Sequence, residues 1–286
     1  MPSTPGFFGC QMAVIGMVHV QALPGTPGAR LPIDQIVAQA EAEARLLARC
    51  GFDAIIVENM HDRPYEHGPK PPEIVAAMTR VALAVRAVAQ RSGRPLPLGV
   101  QILSGGNHDA LAVALAAGAQ FIRCENFVFS HVADEGLLAQ AEAGPLLRYR
   151  RRIGADHVRV LCDIKKKHAS HAITADVPIA EAAEAAEFFG ADGVIVTGTA
   201  TGKPVSHDDL AAVRAATRLP LLVGSGAGPD QLPALFRHAD AVIVGSWIKR
   251  GGVWASPPDP DRCRRFVAAA ERARAATERR GRRASA

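Results

Sequence analysis

Two stretches decide the fold: Pro220-Leu-Leu-Val-Gly-Ser-Gly-Ala-Gly228 and, one helix-length segment later, Asp240-Ala-Val-Ile-Val-Gly-Ser-Trp-Ile-Lys249. In each, a short apolar run of strand character ends in a Gly-Ser turn. Glycine has no Cβ, so backbone N–H groups there can close on an anion, and a following helix start adds its positive dipole end. Loops after the seventh and eighth strands of a (β/α)8 barrel build such a cradle. The two turns therefore predict a fold and a ligand class together, with Gly224, Ser225, Gly226, Gly245 and Ser246 holding phosphate.

The rest of the chain fits that reading. Eight β-branched-rich runs recur at 12–18, 53–57, 97–103, 120–124, 158–163, 192–197, 220–224 and 240–245. Amphipathic, alanine-rich segments lie between and after them, with helices expected near 34–50, 73–90, 108–117, 136–152, 179–189, 208–217, 230–237 and 259–279. This alternation predicts an α/β protein, a single-domain (β/α)8 TIM barrel over residues 1–270, with 271–286 as a basic tail that frays the last helix. An open doubly wound sheet is the structural rival; eight evenly spaced units without a dinucleotide fingerprint favour closure.

Composition sets bounds. Of the 286 residues 48% are hydrophobic and only 5% aromatic, so the core must be built from Ala, Val, Leu and Ile. The net charge of +5 is local: residues 262–286 carry nine arginines against two glutamates, +7 in all, leaving −2 for everything before them. A solvated tail accounts for the basicity, and no specific nucleic-acid partner is called for. Five cysteines without a close pair argue against disulfides and a zinc ribbon and for a reducing cytoplasm. No apolar run reaches the ~18 residues of a membrane span.

Segments after the strands are long (20–33, 58–72, 125–135 and 164–178), whereas ordinary βα loops have ~2–6 residues. They build up one end of the barrel, and polar residues at strand C-termini become site candidates. Glu58 ends an otherwise apolar strand and is the first choice for general base, with a structural carboxylate as the alternative. His19 ends the first strand in the same manner, to move a proton or to orient a neighbour. Asp163 and Lys165 flank Ile164, so strand alternation aims both to one side as a neighbouring ion pair, with Lys165 favoured among the three lysines 165–167. Arg123, inside the fourth strand, is expected to pair with Glu125 two residues on. Asn59, Thr197 and Gly198 join the proposed binding set, with the Thr197-Gly-Thr-Ala-Thr-Gly202 loop supplying hydroxyls and backbone donors. His61, Asp62, His67, His168 and His171 lack a diagnostic metal spacing, so neither a metal nor a cofactor is assigned.

Several segments together resemble the BtpA family: 15–25, 57–65, 121–125, 163–168, Thr197-Gly198, Thr201-Gly202 and the two Gly-Ser turns. Its named member is a photosystem I biogenesis factor, and relatives also occur in non-photosynthetic organisms. The resemblance covers about 12–270 and implies a barrel related to ribulose-phosphate-binding barrels; it carries no catalytic assignments. The expected function is isomerase- or lyase-type chemistry on a small phosphorylated sugar or nucleotide-like metabolite. The alternatives are a non-catalytic assembly or regulatory factor and a phosphate-ester or nucleotide hydrolase. Homo-oligomerisation is an expectation from the fold alone.

Overall fold

The structure, a computed structural model, describes residues 8–10, 12–198 and 205–284. The 197–202 loop is thus described only at Thr197 and Gly198; Thr201 and Gly202 lie outside the described residues.

Eight parallel strands close into a barrel: β1 Ala13–His19, β2 Ala54–Glu58, β3 Leu98–Gln101, β4 Phe121–Cys124, β5 Arg159–Ile164, β6 Gly193–Val196, β7 Leu221–Val223 and β8 Ala241–Val244. Each pairs with its neighbours in chain order, and β1 closes on β8. Helices α1 Ile33–Cys50, α2 Pro72–Arg91, α3 Asn107–Ala117, α4 Ala143–Arg152, α5 Ile179–Phe188, α6 His207–Ala216, the one-turn α7 Leu232–Leu235 and α8 Pro260–Ala284 follow the strands.

Side-chain alternation divides the strands into two sets. Outward residues such as Val14, Val18, Ile55, Val57, Val160 and Val194 join the layer beneath the helices. Inward residues, including Ala13, Ile15, Met17, Ala54, Ile56, Phe121, Leu161, Ile195, Leu222 and Ile243, fill the barrel. Phe8 closes its lower end, with its ring 5.5 Å from that of Phe121. Phe121 occupies space that no side chain at position 99 could share, since a Cβ on Gly99 would lie 2.2 Å from its ring. Continued upward by two residues, the inward series arrives at His19, Glu58, Gln101, Arg123 and Asp163, all buried.

Three expected boundaries change. The segment 136–152 is not one helix: Gly136–Leu138 is a strand, and α4 begins only at Ala143. Gly136, at a φ of 113°, turns a hairpin with His131–Ala133, and Ala169–Ser170 adds a third antiparallel strand. The two long loops after β4 and β5 thus make a small sheet on the barrel rim. The expected helix 230–237 is divided into the 3-10 turn Pro229–Gln231 and α7. Helix α8 extends beyond the expected residue 279 to Ala284.

Candidate active site

The C-terminal ends of the strands open into a cavity of about 700 Å3. Its floor is the polar end of the inward series. His19 and Glu58 are register partners on β1 and β2, as are Glu58 and Gln101 on β2 and β3.

Glu58 is 6% exposed, and its carboxylate Oε2 lies 3.7 Å from His19 Nε2. Burial pushes its pKa up to about 7, with Arg123 and Lys167 only partly opposing the shift. Burial drives His19 the other way, to about 3, helped by the charge of Lys249. The contact is therefore not an ion pair near neutrality. His19 Nδ1 sits 2.9 Å from the Trp254 carbonyl oxygen, which requires Nδ1 to carry the proton and donate it. That leaves the Nε2 lone pair toward Glu58.

Arg123 reaches across to β5 rather than along its own strand. Its Nε and Nη2 donate to the two Asp163 oxygens at 2.8 and 2.9 Å, a bidentate buried pair, and Nη1 donates to the Gly224 carbonyl at 3.3 Å. This corrects the expected Arg123–Glu125 pair. Glu125 instead accepts from Lys166 Nζ at 2.9 Å and from the Gly105 N–H at 2.9 Å. Burial alone would raise the Glu125 pKa, but Lys166 and these hydrogen bonds hold it below its ordinary value.

The expected Asp163–Lys165 pair does not form either. Strand β5 ends at Ile164, and Lys165 adopts a φ of 45°, which breaks the alternation that would have aimed it inward. Its ammonium turns away and donates to the Thr174 carbonyl at 3.0 Å. Lys167 takes its place in the cavity wall. The Lys167 ammonium has no hydrogen-bond or ion-pair partner among the described residues, and burial followed by repulsion from Arg123 lowers its pKa. Its backbone N–H donates to Thr197 Oγ1 at 2.8 Å, so Thr197 holds the lysine loop from behind.

Neither Thr197 nor Gly198 lines the cavity. Asn59 also stands back from it: Nδ2 donates to Asp62 at 2.9 Å and Oδ1 accepts from the Leu103 N–H at 2.7 Å. Asp62 in turn accepts from the Leu23 N–H at 2.8 Å, so Asn59 and Asp62 clamp together the loops after β1, β2 and β3.

The Gly-Ser turns form the opposite wall, and Gly224, Ser225, Gly226, Gly245 and Ser246 all line the cavity. Gly226 has a φ of 75°, a conformation that suits glycine. Gly245 lies against His19, whose Nε2 would be 3.0 Å from a Cβ there. Among the described residues, Ser225 Oγ is buried without a hydrogen-bond partner, as is Gln101 Oε1 across the cavity. Buried polar atoms left open toward a cavity are those a ligand can satisfy. Lys249, at the end of the second turn, is fully buried, with Nζ 2.6 Å from Glu43 on α1. It anchors the turn and is not part of the cavity wall.

Sequence reasoning passed over the upper wall. Arg63, Trp247, Trp254 and Arg262 line it, as do Asp134 and Glu135 from the tip of the rim hairpin. Arg63 lies over the Trp254 ring at 4.7 Å and Arg262 over Trp247 at 4.5 Å. Both tryptophans follow β8, where the presence of so few aromatics in the chain was the one available signal.

This arrangement defines a (β/α)8 barrel with a cavity at the C-terminal ends of its strands whose floor is polar. The BtpA family model matches residues 10–272, and the chain belongs to the BtpA family. It is 45% identical over 255 residues to an uncharacterised mitochondrial protein of Caenorhabditis elegans, covering 89% of this chain and 91% of the relative. It is 37% identical to the photosystem I biogenesis protein BtpA of Synechocystis, covering 90% of this chain and 87% of that one. Among solved structures, thiamine phosphate pyrophosphorylase from Pyrococcus furiosus superposes with a TM-score of 0.58 at 11% identity, covering 92% and 96% of the two chains. The (S)-3-O-geranylgeranylglyceryl phosphate synthase of Thermoplasma acidophilum, in complex with sn-glycerol-1-phosphate, gives 0.56 at 16% identity, covering 91% and 93%. At these identities the structural likeness establishes the fold.

Proposed function

We propose that this protein is an enzyme of isomerase or lyase type acting on a small phosphorylated metabolite. The observation that carries the reading is Glu58: a buried carboxyl at the cavity floor, its pKa pushed up to about 7, beside a neutral histidine held in one tautomer. A group that titrates near neutrality accepts and returns protons efficiently. The phosphate end docks on Ser225, Gly226 and Ser246, where the unpartnered Ser225 hydroxyl donates to it. Glu58 removes a proton from a carbon beside a carbonyl or protonates a leaving oxygen. Lys167 and Arg123 balance the negative charge that develops. Phosphorylated ligands of the structural neighbours, such as sn-glycerol-1-phosphate in the glyceryl phosphate synthase, are compatible with this assignment.

The test is incubation of purified protein with phosphorylated sugars and nucleotides. Substrate should be consumed without release of free phosphate, and Glu58→Gln should abolish turnover while sparing binding. Unchanged turnover in Glu58→Gln would remove Glu58 as base. A divalent-metal requirement with phosphate release would favour the hydrolase reading instead.

A second reading, a non-catalytic assembly or regulatory factor, draws support from the name of the Synechocystis relative and from the rim sheet. Val132 and Leu137 are cross-strand partners there, and both are exposed, as is Ile173 in the adjoining turn. A partner recovered by pull-down and lost in Leu137→Asp, with no metabolite consumed, would favour it. The cytoplasm is the proposed compartment, although the C. elegans relative is described as mitochondrial; among the described residues no helix is long and apolar enough to cross a membrane.

A further inference from the structure

We propose that the upper half of the cavity receives a planar nucleobase-type ring attached to the phosphorylated sugar, so that the ligand is a nucleotide rather than a bare sugar phosphate. The inference rests on the phosphate-site reading above and adds a second recognition element to it.

The cavity volume of about 700 Å3 lies well inside the range of roughly 300–1,000 Å3 for pockets that take drug-sized ligands. It leaves room beyond a phosphate seated on the turns. The chain holds only two tryptophans, and both line this one cavity. Each has a guanidinium over its ring, Arg63 at 4.7 Å from the Trp254 ring and Arg262 at 4.5 Å from the Trp247 ring, and both arginines line the cavity too. Arg262 is itself fixed by donating from Nε to the Trp247 carbonyl at 2.6 Å, and the His61 ring lies 4.9 Å from Trp254. Indoles held in this way lose little side-chain freedom when a flat partner stacks on them.

Their placement links the two ends of the site. Trp247 directly follows Ser246 of the phosphate turn, and the backbone of Trp254 holds His19 beside Glu58. A ring on this wall therefore lies between the phosphate site and the proton-transfer pair. Asp230 and Gln231 also line the cavity, next to the first turn, and offer hydrogen-bonding groups to a ring edge. A bare sugar phosphate would use none of this wall.

The two tryptophans make full-length protein its own reporter. Intrinsic fluorescence is titrated with ribose 5-phosphate and with the 5′-monophosphates of adenosine, guanosine, cytidine and uridine; the Trp variants are followed by calorimetry. Base–aromatic stacking predicts that at least one nucleotide binds about tenfold or more tighter than ribose 5-phosphate. Trp254→Leu should erase that advantage and leave ribose 5-phosphate affinity unchanged, while Trp254→Phe retains it. Trp247→Leu repeats the test if Trp254→Leu does not fold. Ribose 5-phosphate binding as tightly as every nucleotide would overturn the ring subsite and leave the phosphate reading standing. No binding by any of the five would overturn both.

Discussion

His19 and Glu58 owe their chemistry to burial, and burial makes a testable statement about stability. Glu58 stays neutral in the fold up to about pH 7 but ionises from 4.5 when unfolded, so its contribution is complete below pH 4.5 and is lost as pH rises through 7. Glu58→Gln mimics the neutral form. It should match the parent near pH 4 and exceed it by on the order of 3 kcal/mol above pH 7, measured by urea unfolding. A variant less stable than the parent at pH 8 would mean that the carboxylate is structural. His19 has the opposite sign: its contribution is complete above pH 6.5 and is lost as pH falls toward about 3. The lysines give a second residue-scale prediction. Lys165→Met should leave turnover unchanged, whereas Lys167→Met should lower it at least tenfold, and equal effects would refute the assignment of Lys167 to the cavity. His19, Glu58 and Asp163 were legible as strand-end polar residues because alternation holds to the end of a strand. Lys165 was misread because its positive φ lies one residue beyond that end, where sequence carries no parity signal.

The strands were legible because each is a mostly apolar run, buried along nearly its whole length. The rim sheet was not. Its strands are two or three residues long, and the 136–152 segment kept a helical spacing of apolar residues although the hairpin at Gly136 interrupts it. The helix starts are held in different ways. Ser206 caps α6, its Oγ accepting from the Asp209 N–H at 3.3 Å. Asn107 instead lies within the first turn of α3 and spends its side chain on Glu125 and Glu142, which ties the helix to the loop after β4. At this scale the close approach of β3 to Phe121 can be tested. Gly99→Ala would place a Cβ 2.2 Å from the ring, and overpacking of this kind costs about 1–3 kcal/mol. A loss in that range is expected from denaturant midpoints, with the circular dichroism spectrum retained. No loss would show that the barrel interior yields more readily than a packed core should.

Over the whole molecule, alternation of strand and helix sets the fold and the strand ends set the site. The closed barrel brings eight strand ends to one rim, so residues from His19 to Trp254 share a single cavity despite their separation in the chain. That convergence was readable from strand spacing and from the two glycine turns. The tryptophan wall was not, because its position depends on how the chain after β8 folds over the mouth before α8 begins. The most direct test of a phosphate-binding barrel mouth is thermal unfolding of the parent and Gly226→Asp across phosphorylated sugars and nucleotides. A ligand at ~100 times its dissociation constant stabilises the native state by roughly 2.7 kcal/mol, a shift of several degrees for a chain of this size. A selective shift is expected in the parent and is lost in Gly226→Asp, where a carboxylate intrudes on the proposed phosphate turn. An unshifted parent, or a shift that Gly226→Asp retains in full, would contradict a phosphate site there.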